Sequence, residues 1–218
     1  MTAPPTFAAA TDADADDVIG SLEALEARLA QPSPAALRKV SPTIHPLYRR
    51  MIEASPFAIL ATSGPGGLDA SPRGDPAGFI TVADDKTLWL PERRGNHRAD
   101  SLRNLVADPR LALLLLVPGL GETLRINGRG RLRTAPALLE RFSMQGRPPF
   151  CVIEISVAEV YFQCARAILR SGLWQPAPSR EALGLPTAGE ILTAMTRGEF
   201  DGQAYDRELP ARQRATLY

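Results

Sequence analysis

Between Phe57 and Phe162 the chain is cut into seven short runs that are wholly aliphatic or alternate apolar with polar residues, and glycine and proline make most of the cuts. The runs are Phe57–Thr62, Leu68–Arg73, Gly78–Val82, Thr87–Leu90, Leu111–Val117, Thr123–Arg133 and Cys151–Phe162. Alternation with period two places every second side chain on one face of a strand, so each run can bury one face. Strands this short are stable only when several pair over a shared core. Gly64-Pro65-Gly66-Gly67, Asp84-Asp85 and Pro118-Gly119-Leu120-Gly121 supply the turns between them. The pattern predicts an antiparallel barrel or sandwich, wound up and down, with one helical interruption. That interruption is Asn96–Ala107, where Ala99, Leu102, Leu105 and Val106 form an apolar face, Asn96 can cap and Asp108-Pro109 terminates.

The flanks follow a different period. Val18, Ile19, Leu22, Leu25 and Leu29 recur at helical spacing until Pro32 and Pro34 stop them, and a second helix is expected over His45–Glu53, ending before Ser55-Pro56. A further helical stretch follows Gln163, then a link holding Pro176 and Pro178, then a helix near Gly189–Arg197. The expected division is a disordered tail over 1–17, a helical extension over 18–54, the barrel over 55–175 and a second helical extension over 176–218.

At 218 residues the chain can bury a core without disulfides or metals. Its formal charge of +1 gives no global field for nucleic acid or anionic lipid, and 6% aromatic residues leave few stacking platforms. The longest aliphatic run, Leu111–Val117, is far short of the roughly 20 residues that span a bilayer, and the acidic start (Asp12, Asp14, Asp16, Asp17) is unlike a basic leader. A cytoplasmic protein without membrane or nucleic-acid partners is expected. Cys151 and Cys164 have no metal-ligand spacing, and only His45 and His97 accompany them, so no metal site is expected.

Three stretches carry chemistry. Leu90-Pro-Glu-Arg-Arg-Gly-Asn-His-Arg98 gathers Arg93, Arg94, His97 and Arg98 at the expected start of a helix. Cations are disfavoured there unless an anion joins them, and phosphate suits both the arginine forks and the helix N–H groups. Pairing with Glu92 and Asp100 is the local alternative. Asp69-Ala-Ser-Pro-Arg-Gly-Asp75 ends a strand on Pro72 and Gly74, freeing backbone groups around Ser71 and Arg73; an ordinary surface turn has the same composition. Thr123–Arg133 sets Arg125, Asn127, Arg129, Arg131 and Arg133 on one face, either as a solvated surface or as the lining of a cleft or contact. No Gly-x-Ser-x-Gly elbow, Cys–His pair or strand-placed carboxylate pair is present, so any chemistry is expected from a cofactor.

In order, Ser71-Pro72-Arg73-Gly74-Asp75, the strand Leu88-Trp89-Leu90, the Arg93–Arg98 stretch, Asp108-Pro109-Arg110 before an aliphatic strand, and Glu122-Thr-Leu-Arg-Ile-Asn-Gly128 resemble the pyridoxamine 5′-phosphate oxidase-like flavoproteins over about residues 43–175. Ala167-Ile-Leu-Arg-Ser-Gly-Leu-Trp174 resembles a subfamily of these whose reactions are mostly unassigned. The resemblance implies a mainly β (α+β) split β-barrel of the FMN-binding type with peripheral helices, a homodimer with FMN at its interface, and oxidoreductase chemistry on a small molecule. It matches Arg73, Arg98 and His97 to positions holding the flavin phosphate and ring edge, with Ser71, Arg94 and Asn96 as further candidates. Arg125, and with it Trp174, would approach the flavin from the partner. A flavin or haem carrier without turnover is the alternative function. Authentic oxidases of the family carry a basic Arg-x-His segment near the C-terminus; the stretch Tyr205–Tyr218 has no His, and only Arg212 and Arg214 could substitute, so a substrate other than pyridoxamine 5′-phosphate is expected.

Overall fold

A computed structural model describes residues 18–218, so the tail expected over 1–17 lies outside the described residues. The chain divides into two compact units, ending and beginning at Arg38 and Lys39. In the first, the described part holds two helices of a turn or so, α1 (Leu22–Glu26) and α2 (Pro34–Arg38), with no buried residue in either. The helix expected over Val18–Leu29 is thus shorter: Ser21 caps it by accepting from the Ala24 N–H at 3.1 Å, and Val18, Leu22 and Leu29 stay exposed.

The second unit is built on seven strands: β1 (Phe57–Gly64), β2 (Gly67–Gly74), β3 (Thr81–Val82), β4 (Thr87–Glu92), β5 (Arg110–Leu116), β6 (Thr123–Arg133) and β7 (Cys151–Gln163). All pair antiparallel in the order β2-β1-β5-β6-β7-β4-β3. The meander is therefore interrupted: the β3–β4 hairpin is carried past β5 and β6 to pair with β7. The strand expected over Gly78–Val82 shrinks to Thr81–Val82, because Gly78 adopts φ +90° and the Phe79 N–H turns back to the Pro76 carbonyl.

Alternation fixes the core. Ala58, Leu60 and Thr62 of β1 and Leu111, Leu113 and Leu115 of β5 point inward, joined by Leu88, Leu90, Leu124, Ile126, Ile153, Ile155 and Val160. Helix α3 (Pro46–Ala54) brings Ile52 to this core, with Ile44 just before it. Helix α4 (Asp100–Ala107) packs on β1, β2 and β6 through Leu102 and Leu105, while the Asn104 amide donates to Thr62 Oγ1 at 3.2 Å and to the Gly67 carbonyl at 3.3 Å. Helices α5 (Pro136–Arg141), α6 (Arg166–Ser171), α7 (Ala188–Met195) and α8 (Gly202–Ala215) complete the unit, and α5 and α8 carry no clear signal in the sequence pattern. This is the expected split barrel with peripheral helices. No helix among the described residues is long and apolar enough to cross a membrane.

Strand β2 pairs only with β1, and β4 lies near the other end of the sheet. Side chains bridge these two regions where backbone does not: Arg73 of β2 reaches Glu92 of β4 at 2.9 Å, and Arg93 reaches Asp75 at 2.7 Å.

Candidate functional site

Over this seam opens a cleft of about 630 Å³ between the end of β2, the loop after β4 and the start of α4. It is lined by Ser71, Arg73, Arg94, Asn96 and Arg98, five of the eight candidate residues, together with Asp69, Glu92, Ser101, Leu217 and Tyr218. The floor is a connected polar network. Arg73 donates from Nε to Glu92 and from NH2 to Ser101 Oγ at 3.0 Å; Ser101 donates to Asp69 at 2.5 Å, and Ser71 donates to the same carboxylate at 2.9 Å. Burial raises the Glu92 carboxyl above the ordinary glutamate range, with the adjacent Arg73 charge pulling the other way.

The loop Arg93–Ala99 forms the rim. The expected helix start at Asn96 is displaced to Asp100, because Asn96 Oδ1 accepts from the Arg98 N–H at 3.1 Å and folds the chain into an Asx turn instead of a first helical turn. His97 and Ala99 both take left-handed φ, +62° and +54°, a conformation that costs non-glycine residues about 1 kcal/mol or more each and clusters at ligand clamps. The cations thus stand on a strained loop ahead of α4. Arg98, 76% exposed, pairs with Asp100 at 2.9 Å, and Arg94 has no ion pair among the described residues.

Tyr218 closes the other side. Its hydroxyl donates to Asp75 at 2.8 Å, its ring lies 5.7 Å from the Arg93 guanidinium, and Arg147 donates to its main-chain oxygen. The hydrogen bond to Asp75, then burial, raise the Tyr218 phenol above its usual range. No local pattern marks Tyr218, and Asp69 and Glu92 lie inside stretches singled out for other residues; only the sheet order brings the three to one cleft.

The remaining three candidates lie elsewhere. His97 lines a second, adjoining cavity. Arg125 points from the outer face of β6 and donates to Tyr161 Oη at 3.1 Å, and Trp174 Nε1 donates to the Leu120 carbonyl at 2.7 Å; neither lines a described cavity. No cluster of three or more metal-ligating side chains forms among the described residues.

The barrel is thus left open at one seam, with a polar cleft set on that seam. Residues 44–164 match the family model described as pyridoxamine 5′-phosphate oxidase, more than half of the chain, and the protein belongs to that family. No curated protein matches. Among solved structures, HupZ of Group A Streptococcus is 20% identical, with 53% of this chain and 90% of that one covered at a TM-score of 0.43. A Clostridium acetobutylicum protein related to general stress protein 26, of the pyridoxinephosphate oxidase family, is 13% identical, covering 53% and 84% at 0.42. An FMN-binding protein from Syntrophomonas wolfei is 10% identical, covering 52% and 86% at 0.39.

Proposed function

We propose that the protein binds FMN in the seam cleft and acts, as a homodimer, as an FMN-dependent oxidoreductase on a small molecule. The observation that carries the reading is the strained Arg93–Ala99 loop, which holds Arg94, Arg98 and Asn96 over a cleft whose opposite wall is Ser71, Arg73 and Ser101. That donor set suits one phosphate flanked by a polar ring system, and the volume lies within the roughly 300–1,000 Å³ of ordinary ligand pockets. Arg98 would hold the phosphate, with the Asn96 side chain beside it. Arg73 is already bound to Glu92 and Ser101, so its role is to fix the floor and to keep β2 and β4 at their spacing.

When bound, FMN supplies hydride transfer. The chain's own groups would bind and orient: Ser71 and Ser101 would present hydroxyl oxygens to the flavin, and Tyr218 and Leu217 would flank it. The absence of a nucleophile–base pair fits this division of labour.

Support for the dimer comes from the outer sheet face. Phe57, Ile59 and Ala61 of β1 stand directly opposite Leu116, Leu114 and Ala112 of β5, three apolar cross-strand pairs turned away from the core, bordered by Arg125 and Asn127 of β6. A second copy on this face would bury it and would bring Arg125 and Trp174 to the partner's cleft, where one protomer alone does not place them. The absorption spectrum of the purified protein, followed by mass identification of what heat releases, tests the reading. Flavin bands and FMN are expected; a Soret band, or protein that stays colourless after FMN is added, would overturn it.

A further inference from the structure

Beside the flavin cleft lies a second cavity of about 520 Å³, separated from it by the Glu92–Ala99 loop and by Tyr218, which line both. Its character differs. Leu102, Pro148, Pro149 and Phe150 form one wall, and the one side-chain carboxylate on its lining, Glu92, is engaged by Arg73. The basic residues on its lining include Arg94, which has no ion pair among the described residues; His97 lines this cavity and not the first.

The apolar wall is built before any ligand arrives. Met144 and Arg147 exchange backbone hydrogen bonds of 3.0 and 2.9 Å across a two-residue turn whose central residues, Gln145 and Gly146, both have positive φ. Pro148 and Pro149 then restrict the chain, and the Phe150 N–H donates to the Glu92 carbonyl at 3.0 Å, tying the wall to the end of β4. Phe150 nevertheless leaves 71% of its surface exposed, an unusual position for a large aromatic residue on a rigid wall.

We infer that this second cavity is the substrate chamber and that it takes a flat, apolar molecule bearing a carboxylate, its body against Pro149 and Phe150 and its charge toward Arg94 and His97. The inference rests on the flavin reading for what happens to that molecule, since the shared Glu92–Ala99 wall is what would set it beside the cofactor. It does not rest on it for binding. A phosphate dianion with a polar ring is the poorer fit, because the wall of Leu102, Pro148, Pro149 and Phe150 offers that ring no side-chain hydrogen-bond partner.

Calorimetry with 2-naphthoate and with neutral 2-naphthamide, on the protein with and without added FMN, tests this. Naphthoate is expected to bind in both states and about tenfold or more tighter than the amide, the scale of one charged hydrogen bond. Phe150→Ala, at an exposed position, is expected to weaken both ligands at least about threefold, and Arg94→Gln to abolish the preference for naphthoate while leaving the amide unchanged. No binding of naphthoate, equal affinity for the two ligands, or indifference to Phe150→Ala would each overturn the chamber. Naphthoate binding with these features in protein that takes up no FMN would leave the chamber standing and overturn the flavin reading alone.

Discussion

Arg98 and Arg73 show how much a residue's role depends on what already holds it. Arg98 is mostly exposed and paired only with Asp100 at the start of α4, so it is free to turn to a ligand; Arg73, 14% exposed, has its donors taken by Glu92, Ser101 and the Pro72 carbonyl. Arg98→Ala is expected to weaken FMN binding by about 1.5–3 kcal/mol, read by flavin fluorescence titration, with the unfolding midpoint unchanged. Equal affinity in the variant would mark the loop as a surface ion-pair patch. Glu92 makes a different prediction. Its carboxyl is raised by burial, so the folded protein holds this proton more tightly than the unfolded chain does. The contribution to stability is then greatest at low pH and falls as pH rises from the ordinary value of 4.5 through the raised one. In urea unfolding between about pH 4 and pH 8, the stability difference should move in favour of Glu92→Gln as pH rises. A pH-independent difference would contradict the shift. Opposite Glu92 on β7, Cys151 is fully buried, and burial pushes its thiol up to about 12, whereas Cys164 is exposed. Iodoacetamide at neutral pH should therefore alkylate Cys164 in the native protein and reach Cys151 only after denaturation, as peptide mass mapping would show.

Strands β6 and β7 form the longest ladder, and it carries one irregularity, between Asn127 and Gly128. A Cβ on Gly128 would run into the Ser156 carbonyl oxygen and lie 3.2 Å from Ile155 Cγ2, so the bulge tolerates no side chain. Gly128→Ala should destabilise the protein by about 1–3 kcal/mol through overpacking, whereas the same change at Gly66, which has open space around it, should be nearly silent in thermal unfolding. The alternation of β6 is visible in its residues, as are the aliphatic β5 and the apolar face of α4, because each depends on spacing within one segment. The partners are not. That β4 pairs with β7, and that Asp69, Glu92 and Tyr218 therefore meet, depends on contacts between segments far apart in the chain, about which local periodicity is silent. The start of α4 failed for a smaller reason: Asn96 serves both as a helix cap and as an Asx-turn residue, and it takes the second role.

At the scale of the whole molecule, the barrel core and the outer face of β1 and β5 compete for the same explanation of so many aliphatic residues. Leu60, Leu113 and Leu115 fill the interior, while Ile59, Leu114 and Leu116 on the same strands face outward. Sedimentation at micromolar concentration should find a dimer, and Leu114→Glu should yield a folded monomer with weakened FMN binding. A wild-type monomer that retains FMN would overturn both the dimer and the interfacial site. The open seam has one more consequence. A strand such as β2, with backbone partners on one side only, is a template on which a stray chain can add and begin an aggregate. The residues that furnish the cleft also guard against this: Pro72 withholds a backbone donor, and Asp69 and Arg73 set charges along the strand, so the open edge beside the cleft is protected from strand addition by the same side chains.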